Sequence, residues 1–291
     1  MTKSKEKTTQ NTNKRYNLKN DVIFKTFFSR KGNEEFLIDF LNALLKIEIK
    51  SIQIREEVNL EKLAESEKGG RLDLQAKLND GIIINIELQI KNQSNMENRT
   101  LLYGAKTISR EVQRGTNYKD IKQLIMINIL DYELLGFDEY ISETVTVLDK
   151  HREYEIIKGE KWYFIELPKF RKAHPDMNEK INQWLAFIDD YDKGVIEMAE
   201  KKNKTLEKAR IEMNYLTGDE EVRRIAELRE KWEMDWNSGI ADAKEEGIKE
   251  GMKENQIETA KKLIKLGMSI DEIKEVTNLS EEEIESLREN K

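Results

Sequence analysis

The sequence predicts an α/β protein, a mixed sheet flanked by helices, followed by an α-helical C-terminal half. Three observations carry this. Apolar and polar residues alternate in "IEIKSIQIREEV" (47–58) and on both sides of the Asn79-Asp80-Gly81 turn in "GRLDLQAKLNDGIIINIELQIKNQ" (70–93). Helical spacing brackets these segments at 20–45 and 96–115. From about Met177 the chain reads as nearly all helix, and its only prolines are Pro168 and Pro175.

In order, Phe24, Phe27 and Phe28 recur at i, i+3, i+4, which predicts a helix that Gly32 ends. Asn33 then stands as N-cap to a helix over Glu34 to Leu45, striped by Phe36, Leu37, Phe40, Leu41, Leu44 and Leu45. The strand over 47–58 follows, then a polar segment up to Gly69-Gly70, then the hairpin. "MENRTLLYGAKTISREVQRG" (96–115) reads as an amphipathic helix closed by Gly115. "IKQLIMINIL" (121–130) is short and apolar enough for a buried strand. The order α-β-β-β-α-β suggests one mixed sheet between helices. Weaker β signals occur in "SETVTVLD" and "KWYFIEL". "INQWLAFIDDY" and "EEVRRIAELREKWEMDW" have helical spacing, and Gly239, Gly247 and Gly251 mark an exposed helix or linker.

Composition narrows the chemistry. The absence of cysteine excludes disulfides, thiolate zinc sites and cysteine nucleophiles. His151 and His174 are too few for a histidine-built metal site. No 18-residue apolar run and no apolar leader occur, which suggests a cytoplasmic protein. The net charge is −7, unevenly spread: residues 1–20 carry +5 and residues 235–291 carry −6. The basic tail reads as disordered, either solubilising or able to hold a phosphate backbone.

The hairpin register decides which side chains meet. A two-residue Asp-Gly loop would put Asp73 and Glu87 on different faces. A three-residue Asn-Asp-Gly loop, with Gly81 left-handed, pairs Leu78 with Ile82 and Asp73 with Glu87. Only the second register separates apolar from polar residues. One face is then Leu72, Leu74, Ala76, Leu78, Ile82, Ile84, Ile86, Leu88 and Ile90. The other is Arg71, Asp73, Gln75, Lys77, Ile83, Asn85, Glu87, Gln89 and Lys91, with Ile83 alone out of place. Facing carboxylates repel, at up to about 1 kcal/mol, and a divalent cation between them would reverse the sign. Asp73, Glu87 and the Leu88 carbonyl make a half-site for a hard cation such as Mg²⁺. Gln89 could orient a water, and Lys91 could reach that water or a phosphate. An ordinary hairpin with one wet face explains the same alternation.

On the next helix Arg99, Tyr103, Lys106 and Arg110 form one polar stripe, opposite Leu101, Ala105, Ile108 and Val112. Basic groups with a tyrosine suit a phosphate backbone passing near a metal, and a solvated helix face is the alternative.

These residues resemble the PD-(D/E)XK nuclease superfamily and, more narrowly, the Rpn-type recombination-promoting nucleases and transposases. The resembling stretches are "LKNDVIFKTFFSRKGNEEFLIDFLNALL", the hairpin, and "ENRTLLYGAKTISREVQRGTNYKDIKQLIMINILDY", with a looser likeness to the C-terminus. The resemblance implies a restriction-endonuclease-like core and Mg²⁺-dependent cleavage of DNA, with Mn²⁺ as the alternative ion. It implies Asp73 and Glu87 as metal ligands, with Asp21 of the first helix a further acid. The family's lysine position is Gln89 here, so Lys91 becomes the candidate for part of that role. Arg99, Tyr103, Lys106 and Arg110 would contact DNA. Under the metal reading Glu87→Ala is expected to abolish cleavage and leave folding intact, because the residue sits on the polar face; a lost unfolding transition would mark Glu87 as structural.

At the C-terminus Gly267 closes one helix, and Ser269 with Glu272 and Ser280 with Glu283 form two capping boxes. The three short helices resemble a helix-turn-helix. Five glutamates in 281–289 would repel phosphates, which favours protein contact or homo-oligomerisation over base reading. The expected organisation is a basic tail at 1–16, a nuclease-like core at 17–170 and a helical subdomain at 171–238. A Gly/Glu/Lys-rich helix or linker at 239–256 and the small helical end at 257–291 complete it. The leading reading is a metal-dependent DNA endonuclease linked to recombination or transposition. The alternative is a degenerate nuclease fold acting as a protein-contact scaffold.

Overall fold

The computed structural model describes residues 16–55, 74–78, 80–92, 95–112 and 117–289. The basic tail, Asp73, Asn79 and Gly115 lie outside the described residues. Two helices open the chain, α1 (Asp21–Ser29) and α2 (Glu34–Leu45). Asn20 caps α1 by accepting from the Val22 and Ile23 amides. Asn33 stands at the α2 N-cap, but its side chain donates to the Phe27 carbonyl at 2.7 Å and so pins the two helices together.

Among the described residues six strands form one mixed sheet in the order β1-β2-β3-β4-β6-β5. They are β1 (Ile52–Ile54), β2 (Leu74–Leu78), β3 (Ile83–Gln89), β4 (Leu124–Leu130), β5 (Ile141–Leu148) and β6 (His151–Glu166). Of the strand expected over 47–58, residues 47–51 are not in β1 and 56–58 lie outside the described residues. β3, β4 and β6 run parallel, and the outer pairs are antiparallel. Helix α3 (Met96–Glu111) connects β3 to β4, the long crossover that parallel strands need.

The hairpin has the second register. Leu74 pairs with Ile86, Gln75 with Asn85, Ala76 with Ile84 and Lys77 with Ile83. The Leu78 amide donates to the Ile82 carbonyl at 2.9 Å, and Gly81 sits at φ +90°. A side chain would be strained there, and this is the physical reason for a glycine at the third loop position.

The main core lies on one face of the sheet. Ile84, Ile86, Ile127, Ile129 and Ile165 pack with Phe24, Phe27, Phe28, Leu37, Phe40 and Leu41 of α1 and α2. The helices α4 (Leu167–Ala173), α5 (Lys180–Asp189), α6 (Lys193–Lys202) and α7 (Lys204–Gly218) share that core. Trp184 of α5 is fully buried, with its ring 6.1 Å from both Phe28 and Phe40. One hydrophobic core therefore runs across the boundary expected at residue 170.

Helix α8 (Glu220–Lys265) is 46 residues long, and the chain divides within it into two compact units, one ending at Arg229 and one starting at Glu230. In the second unit α9 (Ile270–Thr277) and α10 (Glu281–Glu289) close a small core of Ala260, Ile273, Leu279 and Ile284. Both expected capping boxes are present, and Gly267 at φ +80° ends α8 with the Met268 amide donating back to the Leu263 carbonyl. Among the described residues no helix is long and apolar enough to cross a membrane.

Candidate active site

The second face of the sheet is not wet. Helix α3 covers it, so the polar residues of β3 form a buried floor: Asn85 is 1% exposed, Glu87 3% and Gln89 9%. Small residues let α3 come close. Thr100, Gly104 and Thr107 are buried, and a methyl group on Gly104 would stand 3.5 Å from Leu124 Cδ2. Ile83, out of place in the hairpin pattern, packs here with Leu124, Met126, Tyr103 and Ile108. Both faces of β3 are thus buried, as expected for a strand with a parallel neighbour in an α/β sheet.

Glu87 lies opposite Asn128 of β4. Arg99 Nη2 donates to Glu87 Oε1 at 2.7 Å, and the two side chains are 15% and 3% exposed. The adjacent Thr100 hydroxyl donates to Asn128 Oδ1 at 2.7 Å, and Asn128 Nδ2 donates to the Tyr163 carbonyl at 3.2 Å. These bonds lock one turn of α3 over the middle of the sheet. Among the described residues, both amide atoms of Asn85 and Oε1 of Gln89 are buried without a hydrogen-bond partner. A buried amide left so costs about 1–3 kcal/mol. Two such amides flank the Glu87 carboxylate along β3.

The α3 stripe is not as the sequence suggests. Leu101 is 51% exposed, Ala105 is exposed and Val112 is 36% exposed, whereas Arg99 and Tyr103 turn towards the sheet. The inward face is set by small residues that fit the sheet, not by the most apolar ones. Lys106 and Arg110 are exposed, and Lys106 Nζ lies 5.6 Å from the centre of the Tyr103 ring. Near the C-terminal end of α3, Glu111 pairs with Arg55 just beyond β1, and that bond holds the Glu111 carboxyl below its ordinary range.

The other candidates are dispersed. Asp21 pairs with Arg229, which donates to Asp21 Oδ2 at 2.9 Å. Lys91 is exposed, and since β3 ends at Gln89 and the chain bends at Ile90, the alternation that put Lys91 beside Glu87 does not reach it. Asp73 precedes the first described residue of β2. Among the described residues no group of three or more histidines and carboxylates could hold a metal. Asp131 and Asp189 do converge, but on Arg171 and Lys19, which neutralise them.

The sequence reasoning missed Asn128, Thr100 and the Glu87–Arg99 pair. Asn128 had a signal, a lone amide inside the apolar run "LIMINIL". Asn85 had only its place two residues from Glu87.

A mixed sheet with a carboxylate at the centre of its third strand, under a crossover helix, defines a nuclease-like α/β core. Residues 18–243 match the family model of the PD-(D/E)XK nuclease family transposases, and the chain belongs to that family. Comparison with curated proteins and with solved structures finds no match.

Proposed function

We propose that this protein is a divalent-metal-dependent endodeoxyribonuclease that hydrolyses phosphodiester bonds during recombination or transposition. The observation that carries the reading is Glu87, a carboxylate 3% exposed in mid-sheet, flanked along its strand by amides that have no partner among the described residues, in a chain of a nuclease family. The donors suit a hard cation: the Glu87 carboxylate and the Gln89 side-chain oxygen, with Asp73 as the second acid. Mg²⁺ is the first choice and Mn²⁺ the alternative. When bound, such an ion acidifies a water and neutralises phosphate charge.

The chain's own side chains supply the rest. Arg99 is a positioning residue that holds the Glu87 rotamer through a charge-assisted hydrogen bond. Gln89 can orient a water or donate to a phosphate oxygen, but brings no charge. Lys106 and Arg110, exposed on α3, and Lys91 beyond the strand end offer cations to a DNA backbone, with Tyr103 beside them. Asp21, paired with Arg229, is the candidate for a further acid. The glutamate-rich C-terminal end is assigned to contact with partner proteins, since its charge disfavours DNA.

The test is incubation of the purified protein with supercoiled plasmid, with and without Mg²⁺, beside Asp73→Ala and Glu87→Gln. Nicking or linearisation by the wild type alone, and only with metal, is the expected result. Gln89 favours a second reading, a scaffold without activity, because it cannot supply the lysine's charge. Intact plasmid under Mg²⁺ and Mn²⁺ alike, with no ion uptake by calorimetry, would establish the scaffold.

A further inference from the structure

Beyond residue 160 towards the hairpin tip, the sheet narrows to two strands. β6 pairs with β4 only from Glu160 to Glu166, while its residues from His151 to Ile157 pair with β5 alone. This ribbon has no strand neighbour on either edge among the described residues. It is also apolar where it should be polar. Val145 is 51% exposed, Leu148 38%, Tyr154 57%, Ile156 53% and Ile157 48%. Ile156 and Ile157 are consecutive in a strand, so they point to opposite faces. An isolated two-stranded ribbon is marginal in water, and one with apolar side chains on both faces needs a cover.

We propose that this ribbon is the contact through which two copies of the chain form a two-fold dimer. Charge selects the occupant. Residues 143–161 hold five acidic and four basic side chains, a net of −1 with the signs interspersed. A ribbon built for a nucleic-acid backbone would carry an excess of lysine and arginine, whereas mixed signs let a copy meet itself without repulsion. Area agrees. Five side chains about half exposed present on the order of 400 Å² of apolar surface per copy, divided between the two faces of the ribbon. A symmetric contact that wraps both faces of each ribbon, with its polar margins, reaches roughly the 1,200 Å² at which specific interfaces begin. The outer edge of β5, without a strand neighbour among the described residues, offers backbone groups that a symmetric partner strand can satisfy.

The test is the solution mass of the full chain by light scattering. The wild type is expected at about twice 34.3 kDa, and Ile156→Glu combined with Tyr154→Glu at half that mass, with an unchanged circular dichroism spectrum. The chain has no cysteine, so Ile156→Cys introduces a single thiol without adding charge. A short bismaleimide should join two such copies, but not two copies of Lys172→Cys, an exposed position on α4. A monomeric wild type would overturn the proposal. So would a double-glutamate variant that stays dimeric, as contact through the C-terminal helices predicts, or one that keeps its mass and loses DNA binding. If the double variant fails to fold, the cysteine pair decides: no cross-link at Ile156→Cys overturns the proposal.

Discussion

Glu87 is where a polar residue in a strand pattern acquires a consequence that the pattern does not show. Alternation puts it on a polar face, from which it follows that Glu87→Ala should leave folding intact. Burial reverses that expectation. Removing the carboxylate leaves the Arg99 guanidinium under α3 without this partner, and breaking a buried ion pair from one side costs about 3–5 kcal/mol. Glu87→Ala is therefore expected to lower the midpoint of thermal unfolding markedly. Glu87→Gln with Arg99→Met should recover much of the loss, because neither charge then remains. A double-mutant cycle measured by urea unfolding decides, and additive costs would mean that the pair is not coupled. Asn85 makes the opposite case. Its amide has no partner among the described residues, so Asn85→Val should leave stability unchanged or raise it while weakening Mg²⁺ uptake by calorimetry. A loss of stability would mean that the amide is satisfied in the folded chain.

At the scale of elements, α3 is shaped by what fits against the sheet. A Cβ on Gly104 would make ordinary contacts, 3.5 Å to Leu124 and 3.6 Å to Glu160. Glycine inside a helix costs about 0.5–1 kcal/mol relative to alanine, so Gly104→Ala is expected to stabilise the protein by about that amount in chemical denaturation. A destabilised variant would show that α3 sits closer to the sheet than these distances allow. The C-terminal helices depend on caps in a pH-dependent way. Glu272 is held below the ordinary carboxyl range by Ser269. Glu283 is held there first by Lys253 and then by Ser280. A depressed carboxyl contributes stability above its unfolded value, near 4.5, and loses it as pH falls through the folded one. Backbone amide spectra of 257–289 should therefore show fraying that begins below about pH 4.5, and Ser269→Ala should shift its onset upwards. Fraying unchanged by that substitution would remove the box as its cause.

For the whole molecule, the division within α8 assigns two kinds of work. The first unit holds the sheet, Glu87 and the family match up to Arg229; the second holds the acidic three-helix core. Truncation after Gly251 removes Ala260, Ile273, Leu279 and Ile284 together, so nothing of that small core is left half-packed. It is expected to change binding of partner proteins more than cleavage of nonspecific DNA and to leave the ribbon-mediated dimer in place, as measured by light scattering and a plasmid assay. Unchanged mass with lost DNA affinity would mean that the helical end binds DNA despite its glutamates.

Local rules were enough for much of this. The phenylalanine stripe of α1, the Gly81 turn with its three-residue loop, the all-buried β4 and both capping boxes are legible because each depends on residues within a few positions of one another. The turn at Gly267 and the register Leu74 with Ile86 are of the same kind. What covers the β3 floor was not legible, since a strand pattern is identical whether water or a helix lies above it. The inward face of α3 was misread for a related reason. Leu101 and Ala105 form the apolar side of an isolated helix, but docking selects Thr100 and Gly104, whose size suits the sheet beneath. The pairing of Glu87 with Arg99, the diversion of Asp21 to Arg229 and the bend that takes Lys91 off the strand join residues through packing or end an element. Sequence by itself therefore determined the elements, their order and the register that points at Glu87. Only tertiary structure decided which of the candidate charges meet, because long-range contacts follow from how whole surfaces fit.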